Sequence, residues 1–143
     1  MIENSQAVID AFNMFQDQYS QVDKLWNYFG VISVAVAGFT IGSEKASRSI
    51  WEPLAIIFGY LIFCIGNYQS LINGHTFLYS LATKYNELAK PAGLDTLIIH
   101  RPERVTEFYF AVVITFSLAI IVVSWSRLKS HNKGRKQIAN SVT

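Results

Sequence analysis

The sequence predicts an all-α polytopic membrane protein with three transmembrane helices, the first two forming a long antiparallel hairpin that extends beyond the bilayer as a helical stalk. Three observations carry that expectation. Hydrophobic residues make up 51% of a chain of only 143 residues, with a mean hydropathy of +0.26, more apolar than a soluble domain of that size requires. The charged residues leave three uncharged runs, 25–43, 53–83 and 108–126, each long enough to cross a bilayer. Outside these runs, apolar residues recur at the alternating three-and-four spacing of helices that pack against one another.

The first helix is expected over about 4–42. Val8, Phe12, Phe15, Tyr19, Val22, Trp26 and Phe29 form its seam, while Glu3, Asp10, Asp17 and Asp23 lie off it. That pattern describes an amphipathic helix running into the first span, 25–43, without a breaker between them. The small, polar stretch GSEKASRS at 42–49 is the natural tip of a helical hairpin. Ser49 and Glu52 match a capping box, and Pro53 equally suits a first helical turn, so the second helix starts near residue 50.

The second uncharged run is 31 residues long, about 46 Å as helix against a hydrocarbon core of about 30 Å. Only part of it, about 53–72, is expected in lipid, with the exit near Asn67 to Asn73. Leu71, Leu78 and Tyr85 then repeat every seven residues, with Gly74, Leu81 and Leu88 interleaved, so the helix continues to about residue 90. Pro91 and Gly93 supply the stop. An antiparallel pair joined at the tip aligns residues whose numbers have a constant sum. Val8 with Tyr85, Phe12 with Leu81, Phe15 with Leu78, Tyr19 with Gly74 and Val22 with Leu71 all share the sum 93, and the centre of that register falls inside the tip. The connector GLDTLIIH at 93–100 suits either the bilayer interface or a buried link. Pro102 opens the third helix, expected over about 102–128 with its span at 107–126. Residues 1–130 thus form a single α-helical membrane domain, and 131–143 a basic, flexible C-terminal tail.

A bacterial inner membrane is the expected location. The N-terminal MIENSQAVID lacks the basic region of a cleavable signal, so the first span is expected to act as its own insertion signal. With three spans the termini lie on opposite sides. Placing the C-terminus and the tip in the cytoplasm puts seven Lys/Arg inside and five outside, the sense the positive-inside rule favours.

Two sets of residues are candidates for function. Gly38 and Gly42 form a GxxxG, and Gly59 and Gly66 lie seven apart; small residues let helices approach closely, either within the hairpin or in an oligomer. Asn27, Asn67, Ser70 and Asn73 are candidate pore-lining residues or interhelical hydrogen-bonding groups, with Asn27 and Asn67 placed to share an interhelical amide hydrogen bond of about 1 kcal/mol. Gln69 and His75 belong to the same polar stretch, which equally suits the point where the helix leaves the membrane.

His75, His100 and His131 show no metal-ligand spacing, and Cys64, the single cysteine, reads as an apolar filler within a span. No nucleotide-binding or nucleophile pattern occurs, so neither cofactor nor catalytic residue is expected, and the tail lacks the folded basic surface of a nucleic-acid binder. The expected function is non-enzymatic. It is that of a small integral membrane protein acting through helix–helix interaction, as a homo-oligomer or as a subunit beside a membrane or peripheral partner. The alternative is a pore-forming or ion-permeation subunit or effector.

Overall fold

A computed structural model describes the backbone over 2–42 and 51–141, and side chains over 5–40, at 42, over 51–127, and at 129 and 130. It contains three long helices, α1 (Ile2–Gly42), α2 (Trp51–Ala89) and α3 (Pro102–Ser141), with no strand among the described residues. The expected tip, 42–49, lies outside the described residues but for Gly42, as does the capping pair's Ser49. Two of the helices, α2 and α3, are long and apolar enough to cross a membrane. α1 is not among them, and the last residue of its expected span, Ser43, falls outside the described residues.

The end of α2 is where the breakers place it. A short 3-10 turn, Lys90–Ala92, follows directly, with Pro91 in its first positions. Gly93 closes it at φ 72°, a left-handed conformation that glycine adopts without the Cβ penalty. Its N–H donates to Lys90 O at 3.2 Å, and that of Leu94 to Ala89 O at 3.1 Å, so the last carbonyls are satisfied. Pro102 is the first residue of α3, as expected. α3 does not stop near 128, however, but continues to Ser141. Leu, Arg, Lys and Gln are good helix formers, and Gly134, the weakest position, costs only about 1 kcal/mol in a helix interior.

The chain divides into two compact units, residues 1–29 with 66–110, and 30–65 with 111–143. All three helices contribute to both.

In the first unit α1 and α2 run antiparallel. Phe12 stacks on Tyr85 with ring centroids 5.6 Å apart, and Gln18 Nε2 donates to Gly74 O at 3.0 Å. Val8, Ala11, Tyr85 and Ala89 form a buried cluster to which Phe12, Leu88 and Leu97 add. The row Val8, Phe15, Val22, Phe29 is buried as expected. The second row departs from expectation at Tyr19 alone: Phe12 and Trp26 are half-buried, and they share the face with buried Ala11 and half-buried Gln18 and Leu25 of the neighbouring row. Tyr19 is 57% exposed rather than seated opposite Gly74. A Cβ built on Gly74 would instead meet Gln18 Nε2 and Val22 Cγ2, both at 3.3 Å. One residue is about 100° around a helix, and the smaller residues of the neighbouring row allow the closer approach.

On α2 the seven-residue row Ile57, Cys64, Leu71, Leu78, Tyr85 is buried throughout. The connector 94–101 is tied back to this helix. Asn86 Nδ2 donates to Leu97 O at 2.9 Å while Leu97 N–H donates to Asn86 Oδ1 at 2.7 Å. The connector is therefore a hydrogen-bonded link on α2.

In the second unit Ser33 and Tyr60 hydroxyls pair at 2.9 Å, joining α1 to α2. Tyr60 also packs against Phe116 of α3, with centroids 5.4 Å apart. Around them Thr40, Ile57, Cys64, Val113 and Ile120 are buried, and Thr40 returns its hydroxyl to Val36 O at 2.8 Å, the internal satisfaction expected of a threonine in an apolar helix.

Candidate functional site

A Cβ added at Gly38, Gly42, Gly59 or Gly66 would meet nothing within 4 Å. Among the described residues these glycines make no close approach to another helix of the chain. Each lies about 100° or more around its helix from the nearest buried residue, so all four are on open faces. The close approach between helices falls at Gly74 instead.

The polar candidates are dispersed rather than gathered. Asn27 is exposed and donates to Asp23 Oδ2 one turn back, at 3.2 Å, so the expected amide hydrogen bond to Asn67 is not made. Ser70 is also exposed and returns its hydroxyl to Gly66 O at 3.2 Å; Asn73 and Gln69 are exposed as well. Asn27 and Ser70 thus bond within their own helices, one turn back. Asn67 alone is buried, and its amide donates to the Tyr109 hydroxyl at 3.4 Å. The four residues supply no shared lining within one chain.

Two features of the first unit had no expectation attached to them. One is Tyr109, 1% exposed, whose ring lies 4.8 Å from Phe29 and 5.5 Å from Tyr68, centroid to centroid, with Trp26 at 6.0 Å. It joins all three helices, and tilted aromatic pairs of this kind contribute about 0.5–1.5 kcal/mol each beyond burial. A second tie is the pairing of the Tyr68 and Thr106 hydroxyls at 3.2 Å. The role of Tyr109 depends on partners distant in sequence, Phe29 and Tyr68 among them.

The other feature is a cavity of about 460 Å³ bounded by α1, α2, the connector and α3. Trp26 and Phe108, 5.8 Å apart between centroids, form part of its apolar wall, and Asp23 and Arg104 bring opposite charges to it. His75, placed by its sequence at a wet membrane exit, is only 8% exposed and lines this cavity. Its Nε2 lies 2.9 Å from His100 O. A carbonyl only accepts, so Nε2 donates, and in the neutral ring Nδ1 is left as an acceptor; that atom is buried with no partner. The structure thus brings together His75 and His100, through a backbone carbonyl rather than as two imidazoles.

Comparison with protein-family models, curated proteins and solved structures gives no match to this chain.

Proposed function

We propose that this chain is an integral membrane protein that crosses the bilayer three times and acts without catalysis, through helix–helix association with copies of itself or with a partner subunit. The observation that carries the reading is the low burial of the two apolar helices: 28% of the apolar window in α2 and 22% of that in α3. A core helix in a soluble domain is mostly buried, whereas a spanning helix turns apolar side chains toward lipid. Phe58, Ile62 and Ile65 on α2, and Ile114, Leu118 and Val122 on α3, are such outward side chains.

The apolar part of α1 supplies the third span, and α1 and α2 are the arms of a hairpin. The open glycines are the interface. At Gly38 and Gly42 on α1, and at Gly59 and Gly66 on α2, an added Cβ meets nothing within 4 Å among the described residues, and close backbone approach is what drives association between helices in lipid. The C-terminus and tip face the cytoplasm of a bacterial inner membrane.

Native mass spectrometry of the protein in nanodiscs, beside Gly38→Leu and Gly59→Leu variants, tests this. Since an added Cβ at either position meets nothing within 4 Å among the described residues, both variants are expected to keep their fold. A defined oligomer, or a co-purifying membrane subunit, that is lost in one variant supports the reading. A wild-type chain that is monomeric and partnerless argues against it.

A further inference from the structure

Resting on the membrane reading above, we propose that the cavity in the first unit binds the headgroup of one phospholipid carrying a primary ammonium, of the ethanolamine class. Its polar groups are two acceptors and one cation. Asp23 uses one carboxylate oxygen to accept from Asn27, which leaves the other for a ligand. His75 adds an acceptor nitrogen with no partner in the protein, on a side chain more than nine-tenths buried. Arg104, also on the cavity wall, offers a guanidinium, whose fork matches a phosphate.

An ammonium linked to a phosphate is the small group that complements this set. The ammonium has three N–H donors for the carboxylate and imidazole, and the Trp26 face attracts its charge. A choline head carries the same charge without a donor, and a glycerol head has donors without the charge.

The placement of the cavity selects a lipid over a soluble zwitterion. Trp26 stands at the start of the uncharged run 25–43 and Phe108 at the start of 108–126, while Asp23 and Arg104 lie just before those runs. On α1 and α3 the wall therefore passes from a charged residue to an aromatic one where each helix enters its apolar stretch, the level of a lipid headgroup. A cavity of about 460 Å³ is within the usual range for small-molecule sites.

The test is native mass spectrometry of the full chain, released from nanodiscs of equimolar phosphatidylethanolamine, phosphatidylcholine and phosphatidylglycerol. The expected result is one phosphatidylethanolamine retained per chain. Asp23→Asn is expected to reduce its preference over phosphatidylcholine by roughly tenfold, the worth of a charge-assisted hydrogen bond. Arg104→Gln is expected to reduce retention of the lipid outright, and Glu103→Gln, an exposed neighbour outside the cavity, to change nothing.

Equal retention of the three lipids, or a preference untouched by Asp23→Asn and Arg104→Gln, overturns the proposal. So does displacement of the lipid by an equal concentration of soluble glycerophosphoethanolamine, which would assign the site to the polar group alone. Alkaline extraction of native membranes separates this inference from the one it rests on. A chain that stays in the pellet but retains no ethanolamine lipid refutes only the lipid site, and a chain released to the supernatant refutes the membrane reading.

Discussion

Glycine has opposite consequences at different positions in this chain. At Gly38 and Gly59 an added methyl meets nothing, and the only intrachain effect is on the helix backbone. Gly38→Ala and Gly59→Ala are expected to stabilise the monomer by about 0.5–1 kcal/mol, read as a higher denaturation midpoint in detergent. At Gly74 a Cβ would already touch Gln18 and Val22 at 3.3 Å, and Val22 is buried and stiff at χ1. Gly74→Leu is therefore expected to destabilise by about 1–3 kcal/mol through overpacking, in the same assay. Tyr109 gives a second contrast. Tyr109→Ala removes a ring that contacts all three helices and is expected to cost about 3–5 kcal/mol. Tyr109→Phe keeps the ring but removes the hydroxyl that Asn67 bonds, and should cost about 1 kcal/mol. If the two variants proved equally unstable, the ring contacts would not be the source of the effect.

Among the elements, the connector 94–101 is the most exposed to test. Its tie to α2 is the paired hydrogen bonds between Asn86 and the backbone of Leu97, with His75 holding the His100 carbonyl farther along. Asn86→Ala removes both bonds at Leu97. It is expected to raise hydrogen exchange across 94–101 severalfold while leaving the helices protected, because the amide lost is not part of a helix ladder. Asn86→Asp retains the acceptor for the Leu97 N–H and sets a carboxylate against the Leu97 carbonyl, so it should loosen the connector too. Full protection in both variants would show that the connector is held by something other than Asn86. The stop before this connector was legible from Pro91 and Gly93, since breakers act locally. The side chain that pins it was not, for Asn86 sits eleven residues from Leu97 and nothing in its own helical turn marks it.

For the whole molecule, the decisive arrangement is topological. A C-terminal green fluorescent protein fusion is expected to fluoresce, and a single cysteine placed near residue 5, in a Cys64→Ala background, is expected to react with impermeant maleimide in intact cells whose outer membrane has been permeabilised. The opposite outcome at both ends would invert the orientation, and the same side at both ends would remove one span. These measurements reach beyond the described contacts, which lie within each unit separately.

Helix content, the α2 stop, the Pro102 start and the uncharged runs were all legible in the sequence, because each depends on residues within a turn or two of one another: breakers, first-turn prolines and charge spacing. The seven-residue row on α2 was legible for the same reason. The face α1 turns inward was not. Ala11, Gln18 and Leu25 have the same spacing as Phe12, Tyr19 and Trp26, and hydrophobicity favoured the aromatic row. Packing turned part of the neighbouring row inward as well, since α2 comes close enough at Gly74 for Gln18 to reach its carbonyl. Gln18 rather than Tyr19 took the place at Gly74 and Tyr19 stayed exposed, while Trp26 packs on Phe108 and Tyr109 and forms part of the cavity wall with His75. A cavity bounded by three helices and a connector has no local signature, because its existence depends on distances between residues that are far apart in the chain.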